Sequence, residues 1–372
     1  MILIATIIEF LFVIAVLVFV HELGHFLFAK WCGVKVDEFA IGFGPKIFNK
    51  RKGETLYRIN LFPLGGYVKI VGENPNDPIP EGLDKSRIFT YQNRFKQFLI
   101  LFGGVLFNFI FAYILYIVSF MIGFTASPSD FSDYSSRFKN QRILITEVVP
   151  DSPADRAGIK VGYILEQLSS LSNQNTEDKV SNIQRAINES KGKELEFRFK
   201  EDTESESKII RLRAKQGLIE DKYAIGIAMN EVVDLRLPVF ASIKQGVIHT
   251  SFMIKETVLS LYGFFHDLIF GKADLDQVSG PVGIAKVVHM AGERGVSTFI
   301  IIIALISINL GIINLLPFPA LDGGRILFVA IESIVRRQIH AKFQNIVNAF
   351  GFVLLMILMV IVSIKDIIKL FK

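Results

Sequence analysis

Long apolar runs alternate with polar segments along the chain. Four runs are long enough to cross a lipid bilayer as helices: residues 2–29, 98–121, 299–316 and 346–364. The first contains no Lys or Arg, and as a helix it would be about 42 Å long, more than a hydrocarbon core of about 30 Å. The pattern therefore predicts four transmembrane helices.

A fifth apolar segment, residues 237–270, has a different pattern. Polar residues interrupt it at Lys244, His249, Lys255, Glu256 and His266. This spacing favours an amphipathic helix that lies on the membrane surface, with a fifth crossing as the alternative.

Residues 126–235 have the alternation of a water-soluble module. Short β-type runs at 143–149, 195–199 and 209–212 flank a helical stretch at 180–189. About 100 residues is an ordinary domain size, so we predict one small α+β domain inserted between the second and third spans.

Composition agrees with a membrane protein, because 51% of the 372 residues are hydrophobic and only 21% are charged. Cys32 is the single cysteine, which excludes an intramolecular disulfide and a cysteine-rich metal site. The net charge of +5 comes from basic residues beside the apolar runs, so no nucleic-acid partner is expected.

The basic residues predict the orientation. Residues 30–97 carry 12 Lys or Arg against 7 Asp or Glu, and the loop after the third span has Arg325, Arg336, Arg337 and Lys342 against Glu332. Residues 126–235 carry 16 basic and 19 acidic side chains. By the positive-inside rule the two basic loops are cytoplasmic and the module is extracytoplasmic.

The sequence HELGH places three ionisable side chains in the first apolar run. His21 and His25 are four residues apart, so a helix carries them on one face, with Glu22 beside them. This spacing suits two zinc ligands and a glutamate that acts as general base on a zinc-activated water molecule. Ionisable groups inside a membrane are costly, and we interpret these as functional.

A catalytic zinc usually has three protein ligands, and Asp322 is the candidate for the third. It lies in NLLPFPALDGG, residues 314–324, where prolines interrupt the helix and two glycines permit irregular backbone. With four crossings, the first and third spans run in the same direction and both half-sites lie toward the cytoplasm. A fifth crossing would place Asp322 at the opposite face.

Five motifs together resemble the site-2 protease family of intramembrane zinc metalloproteases, in the bacterial branch of regulator of sigma E proteases. They are HELGHFLFAK, DEFAIGFGPKIF, PLGGYVKIVGE, SGPVGIAKV and NLLPFPALDGG, in the family's order and over nearly the whole chain. The resemblance implies that His21, His25 and Asp322 bind zinc and that Glu22 is the catalytic base. It also implies that Asn314 is an auxiliary residue that holds substrate or stabilises the oxyanion.

The resemblance also implies the remaining architecture. The first loop would form a membrane-associated sheet that reaches back toward the active site, and PDSPADRAGIKVG resembles a PDZ domain. Tyr163 stands where an aspartate commonly follows the glycine, and one PDZ-like module is present where many relatives have two.

The predicted fold is a polytopic α-helical membrane protein with four transmembrane helices, a membrane-associated β-sheet loop and one inserted α+β PDZ-like domain. The segments are helix 1 (1–29), the β-loop (30–97), helix 2 (98–121), the PDZ-like domain (126–235), an interfacial segment (237–298), helix 3 with the LDG motif (299–324) and helix 4 (346–364). The location implied is the bacterial cytoplasmic membrane. The expected partners are the lipid bilayer and single-span proteins already cut on the extracytoplasmic side, such as an anti-sigma factor or signal-peptide remnants.

Two other functions stay open at this point. Intramembrane His and Asp residues also mark ion pathways, as in a zinc transporter, but a transporter does not explain Glu22. An inactive scaffold does not explain an intact HExxH with a matching aspartate. Other polar residues within the spans, including Asn108, are expected to form hydrogen bonds between helices.

Overall fold

The computed structural model of the protein describes residues 2–74, 78–168, 179–201, 205–219, 222–272 and 278–370. The helices are α1 (Ile2–Trp31), α2 (Arg94–Ile122), α3 (Pro153–Arg156), α4 (Lys179–Glu189), α5 (Val239–Ile269), α6 (Pro281–Glu293), α7 (Val296–Leu315), α8 (Asp322–Val335) and α9 (Ala341–Leu370). The strands are β1 (Val36–Lys52), β2 (Thr55–Ile70), β3 (Phe124–Ala126), β4 (Lys139–Val148), β5 (Ile164–Leu168), β6 (Glu194–Lys200), β7 (Lys208–Arg213), β8 (Lys215–Ile219), β9 (Lys222–Ala224) and β10 (Ile227–Leu235). Short 3-10 helices are formed by Lys85–Arg87, Phe89–Tyr91 and Pro128–Arg137. The chain divides into two compact units, residues 1–121 with 238–372 and residues 122–237.

Four helices of the first unit, α1, α2, α7 and α9, are long and apolar enough to span a membrane within the described part of the chain. This confirms the number of apolar helices predicted from the sequence. The third of these helices, α7, is shorter than the predicted segment 299–324. It ends at Leu315, because Leu316 adopts extended backbone angles ahead of Pro317. Asp322 therefore lies outside α7 and begins the separate helix α8.

Helix α5 is a single helix of 31 residues that covers half of the predicted interfacial segment 237–298, and α6 lies in the remainder. Its buried residues Ser242, Gly246 and Thr250 follow one another at intervals of four, so they form one stripe. A Cβ atom at Gly246 would lie 2.8 Å from the Ile117 side chain of α2, which shows how closely this stripe approaches its neighbour. Its position on the membrane surface stays a prediction.

Two clusters of buried side chains hold α1 in place. Val13 and Leu17 pack against Val288 of α6 and Ile303 of α7. Closer to the end of α1, Ala29 belongs to a cluster with Val36, Ile70, Phe89, Ile100, Leu101 and Val329. This second cluster joins α1 to β1, β2, α2 and α8. Helix α1, which carries His21, Glu22 and His25, therefore shares one core with α8, which carries Asp322.

Strands β1 and β2 are bent back on themselves and form four antiparallel segments. Residues 36–41 pair on one side with 66–70 and on the other with 56–59, and residues 46–52 pair with 55–60. The segment order across the sheet is therefore 66–70, 36–41, 55–60 and 46–52. Gly42 and Gly44 permit the bend, since both have positive φ and a Cβ atom at Gly42 would lie 2.5 Å from the Phe62 carbonyl oxygen.

The β1–β2 turn is tied to the end of α1 by Glu54. Its carboxylate accepts a hydrogen bond from Lys30 Nζ at 2.5 Å and another from Arg87. The hydrogen bond from Lys30 is the largest cause that holds the pKa of Glu54 below its usual value. The ionised carboxylate thus stabilises the folded chain.

We expect Glu54→Gln to lower stability at neutral pH by up to about 1 kcal/mol, the upper range for partly exposed ion pairs. Because the folded-state pKa is lowered, the contribution is complete above the ordinary carboxyl pKa and is lost as the pH falls through the folded-state value. Thermal unfolding in detergent should therefore show a difference between wild type and variant at pH 7 that closes in strong acid. A difference independent of pH would contradict this role.

The second unit contains a six-stranded antiparallel sheet in the order β3-β10-β4-β5-β6-β7. Its core includes Ile145, Leu165, Phe197, Phe199 and Met229, together with Ile183 and Ile187 of α4. The buried positions of β6 alternate with exposed or half-buried ones, which is typical of a sheet with one face against a core. The unit thus has its own hydrophobic core.

Candidate active site

Helix α1 places His21, Glu22 and His25 together in its second half. The two histidines are 92% buried, and their Nε2 atoms lie 3.2 Å apart. The helical spacing of four residues gives this arrangement directly, because side chains at i and i+4 share a face. Glu22 lies toward the sheet, where a Cβ atom at Gly66 would be 3.4 Å from its Cγ atom.

Helix α2 approaches this face of α1 through glycines. A Cβ atom at Gly24 would lie 2.2 Å from the Gly103 carbonyl oxygen, so the two backbones touch. One at Gly104 would lie 2.4 Å from Nε2 of His25 and 2.7 Å from Cε1 of His21. The space that a side chain would fill at Gly104 thus holds the two imidazole rings.

Asp322 reaches the histidines from the turn between α7 and α8. Ala320 has a positive φ of 72°, and a Cβ atom at Gly323 would lie 2.1 Å from the Leu316 carbonyl oxygen. This compact turn brings Oδ2 of Asp322 to 2.9 Å from Nε2 of His21 and 3.3 Å from Nε2 of His25.

The three atoms form a triangle that fits a zinc ion. Its sides are 2.9, 3.2 and 3.3 Å. Tetrahedral zinc with bonds of about 2.0–2.1 Å requires ligand atoms about 3.3 Å apart. Oδ2 of Asp322 is also buried and, within the described residues, makes no hydrogen bond of ordinary geometry. Two imidazole nitrogens and a carboxylate oxygen facing one point are a donor set that zinc prefers.

A cavity of about 450 Å³ opens beside this triangle. The residues that line it are His21, Glu22, His25, Tyr67, Val68, Lys69, Ile70, Glu73, Asn74, Ala320, Asp322 and Arg325. Four of the five residues predicted to form the site therefore share one cavity with the 66–70 segment of β2. Asn314, in the last turn of α7, is not among the described lining residues.

The structure also adds residues that sequence reasoning did not select. Glu73 and Arg325 form an ion pair at the cavity wall and join the loop after β2 to α8. Gly104 leaves room for the imidazoles. The sequence signal for Gly104 was its place in a glycine pair within an apolar helix, since small residues allow close packing of helices in membranes.

Comparison with known proteins agrees with this picture. Peptidase family M50 matches residues 9–358. A Clostridium perfringens protein assigned to the zinc metalloproteases is 35% identical over 354 residues and 95% of both chains. A Brucella suis protein with the same assignment is 33% identical over 98% of this chain and 95% of its own. The zinc metalloprotease RasP of Geobacillus kaustophilus is 31% identical over 98% of both chains.

The apolar helices and these similarities define a multi-pass bacterial membrane protein that is a zinc metalloprotease of the site-2 type. The chain belongs to peptidase family M50, as the match over most of its length shows. The enzymatic interpretation is thereby confirmed over the zinc transporter and the inactive scaffold, and zinc is confirmed as the cofactor.

Proposed function

We propose that this protease cleaves peptide bonds within the transmembrane segments of other membrane proteins, with His21, His25 and Asp322 as zinc ligands and Glu22 as general base. The observation that carries the proposal is the triangle of ligand atoms, with sides of 2.9–3.3 Å, on the wall of a cavity that also contains Glu22. All four residues lie on apolar helices or directly beside them, so the bond to be cut must reach membrane depth.

Zinc, when bound, would polarise the scissile carbonyl and lower the pKa of a water molecule to about 7. Glu22 lies next to His21 on the same cavity wall, where its carboxylate can take the proton of that water. The same carboxyl group then passes the proton to the leaving amide nitrogen. Glu22 thus serves as base and then as acid within one turnover.

A helical substrate must be unwound before its carbonyl groups become accessible, because each is hydrogen-bonded within the helix. The 66–70 segment supports a mechanism for this step. It is an edge of the sheet, paired with residues 36–41 on its inner side and with no strand on its outer side within the described chain. We propose that an extended substrate segment pairs with this edge by β-augmentation and so lies along the cavity.

Disulfide cross-linking can test which sheet edge the substrate uses. In a Cys32→Ala, Glu22→Gln chain, Lys69→Cys places a thiol on the edge that lines the cavity. Lys50→Cys, on the opposite edge segment 46–52, is the matched control. A single-span substrate with one cysteine in its apolar segment should cross-link to position 69 at least about tenfold faster than to position 50. Equal cross-linking at both positions would contradict edge pairing beside the active site.

We propose for Asn314 the auxiliary role that the resemblance implies. It is half-buried in the last turn of α7, beyond the residues that line the cavity. A contact with substrate would therefore require the bound segment to extend past the cavity toward α7.

The physiological setting follows from charge and composition. We propose that residues 30–97 face the cytoplasm and that the second unit is an extracytoplasmic PDZ-like domain. Tyr163 packs against the core of this unit and donates a hydrogen bond to Glu201. The proposed substrates are single-span proteins already shortened on the extracytoplasmic side, including anti-sigma factors and signal-peptide remnants.

A further inference from the structure

The outer nitrogens of the two candidate zinc-binding histidines both face α2. Nδ1 of His25 lies 2.9 Å from the carbonyl oxygen of Ile100, which can only accept, so His25 donates this hydrogen bond. Nδ1 of His21 lies 3.1 Å from the side-chain nitrogen of Asn108. Ile100, Gly104 and Asn108 are spaced four residues apart and form one stripe of α2 that covers both imidazole rings.

With the Asn108 side-chain nitrogen toward His21, the contact is inconsistent with zinc binding. A histidine that binds zinc through Nε2 carries its proton on Nδ1 and must donate it. The side-chain nitrogen of Asn108 also donates, so two donors would face each other across 3.1 Å. At the other end of the same carboxamide, Oδ1 is buried and has no hydrogen-bond partner among the described residues.

Rotation of the carboxamide by half a turn removes this conflict. The oxygen and nitrogen atoms of an asparagine exchange places on rotation and are distinguished only by their hydrogen bonds. After rotation, Oδ1 accepts the proton of His21 Nδ1. Oδ1 accepts no hydrogen bond from the described residues in its present place, so the rotation breaks none there.

Asn108 is held firmly enough to act in this way. The residue is fully buried, and its backbone carbonyl accepts a hydrogen bond of 2.8 Å from Ser307 of α7. Burial and this bond hold the Asn108 backbone in place, at a distance from which its side chain reaches the His21 ring. The backbone carbonyl of Ile100 accepts the Nδ1 proton of His25, and this hydrogen bond does not depend on a particular side chain.

We propose that Asn108 is a positioning residue whose side-chain carbonyl accepts the Nδ1 proton of His21 and thereby fixes the ring with Nε2 directed at zinc. This proposal rests on the proposed zinc site and names a further residue that tunes it. It replaces the expectation of a general hydrogen bond between helices with one specific partner.

Zinc affinity of the purified full chain in detergent, measured by chelator competition, tests the proposal without reference to cleavage. Asn108→Leu has similar size and no acceptor, and it should bind zinc about 10- to 100-fold more weakly, the usual effect of losing such a partner. Asn108→Asp offers only acceptor atoms and should keep the affinity within about threefold of wild type. Ser119→Ala removes a partly buried 2.7 Å hydrogen bond to Ser297 elsewhere between helices and should bind zinc like wild type.

The absorption spectrum of bound Co²⁺ gives a second readout, since a reoriented imidazole changes the ligand field. We expect an altered spectrum for Asn108→Leu and a wild-type spectrum for Asn108→Asp. Equal affinities in wild type and both Asn108 variants, or equal losses in both Asn108 variants, would overturn the role of Asn108. A wild-type chain that binds zinc no better than His25→Ala would instead overturn the zinc site itself.

Discussion

Glu22→Gln should lower the rate of substrate cleavage by about 100- to 10,000-fold, the range that general acid–base catalysis contributes. Glutamine fills the same space beside Gly66 but cannot take a proton from water. The three candidate ligand atoms belong to other residues, so zinc should remain bound at one ion per chain. Single-turnover cleavage of a fluorescent single-span substrate, together with zinc analysis of the same sample, measures both quantities.

Glu9→Gln is the matched control for this change. Glu9 lies on the same apolar helix but contacts Nδ1 of His289 at 2.9 Å, outside the cavity lining. Its replacement should leave the cleavage rate within a few-fold of wild type. Persistent cleavage by Glu22→Gln, or equal losses in the two variants, would refute the role given to Glu22.

Gly104→Ala should weaken zinc binding by about 10- to 100-fold and lower cleavage with it. The added methyl group would lie 2.4 Å from Nε2 of His25 and 2.7 Å from Cε1 of His21, distances that neither ring can accept in place. Overpacking of this kind costs about 1–3 kcal/mol, and the rings must leave their present positions beside Asp322 to relieve it. Zinc affinity of the purified chain, measured by chelator competition, should fall by this factor.

Gly263→Ala provides the comparison for Gly104→Ala, because Gly263 is also helical and a Cβ atom there would meet nothing within 4 Å. This variant should retain zinc and activity. A Gly104→Ala chain that keeps wild-type zinc affinity would show that the imidazoles do not occupy the position described here.

Local patterns were sufficient to predict much of the fold. A helix in lipid must be apolar over its whole length, so each span leaves a long run in the sequence that few other structures would produce. The pairing of His21 with His25 was equally local, because it depends only on the helical repeat. Asp322 required an additional argument from topology, since about 300 residues separate it from the histidines.

Other features of the structure depend on tertiary packing and are only weakly indicated by the amino-acid sequence. The interruption after α7 was predictable from Pro317, but the start of α8 at Asp322 depends on the packing of Gly323 against the preceding turn, which a hydropathy pattern does not contain. The double pairing of residues 36–41 could not be foreseen, because period-two alternation gives no register. Asn108 was recognisable as a polar residue in a span, but its partner became clear only from the approach of α2 to α1.

The most direct test of the central claim is mass spectrometry of the products that the purified wild-type chain makes from a single-span substrate in detergent. The chain would be assayed as prepared, after removal of zinc with a chelator, and after zinc is restored. We expect a cut within the apolar segment that disappears with the metal and returns with it. Cleavage that is unchanged by zinc removal, or that falls only outside the apolar segment, would contradict an intramembrane zinc protease.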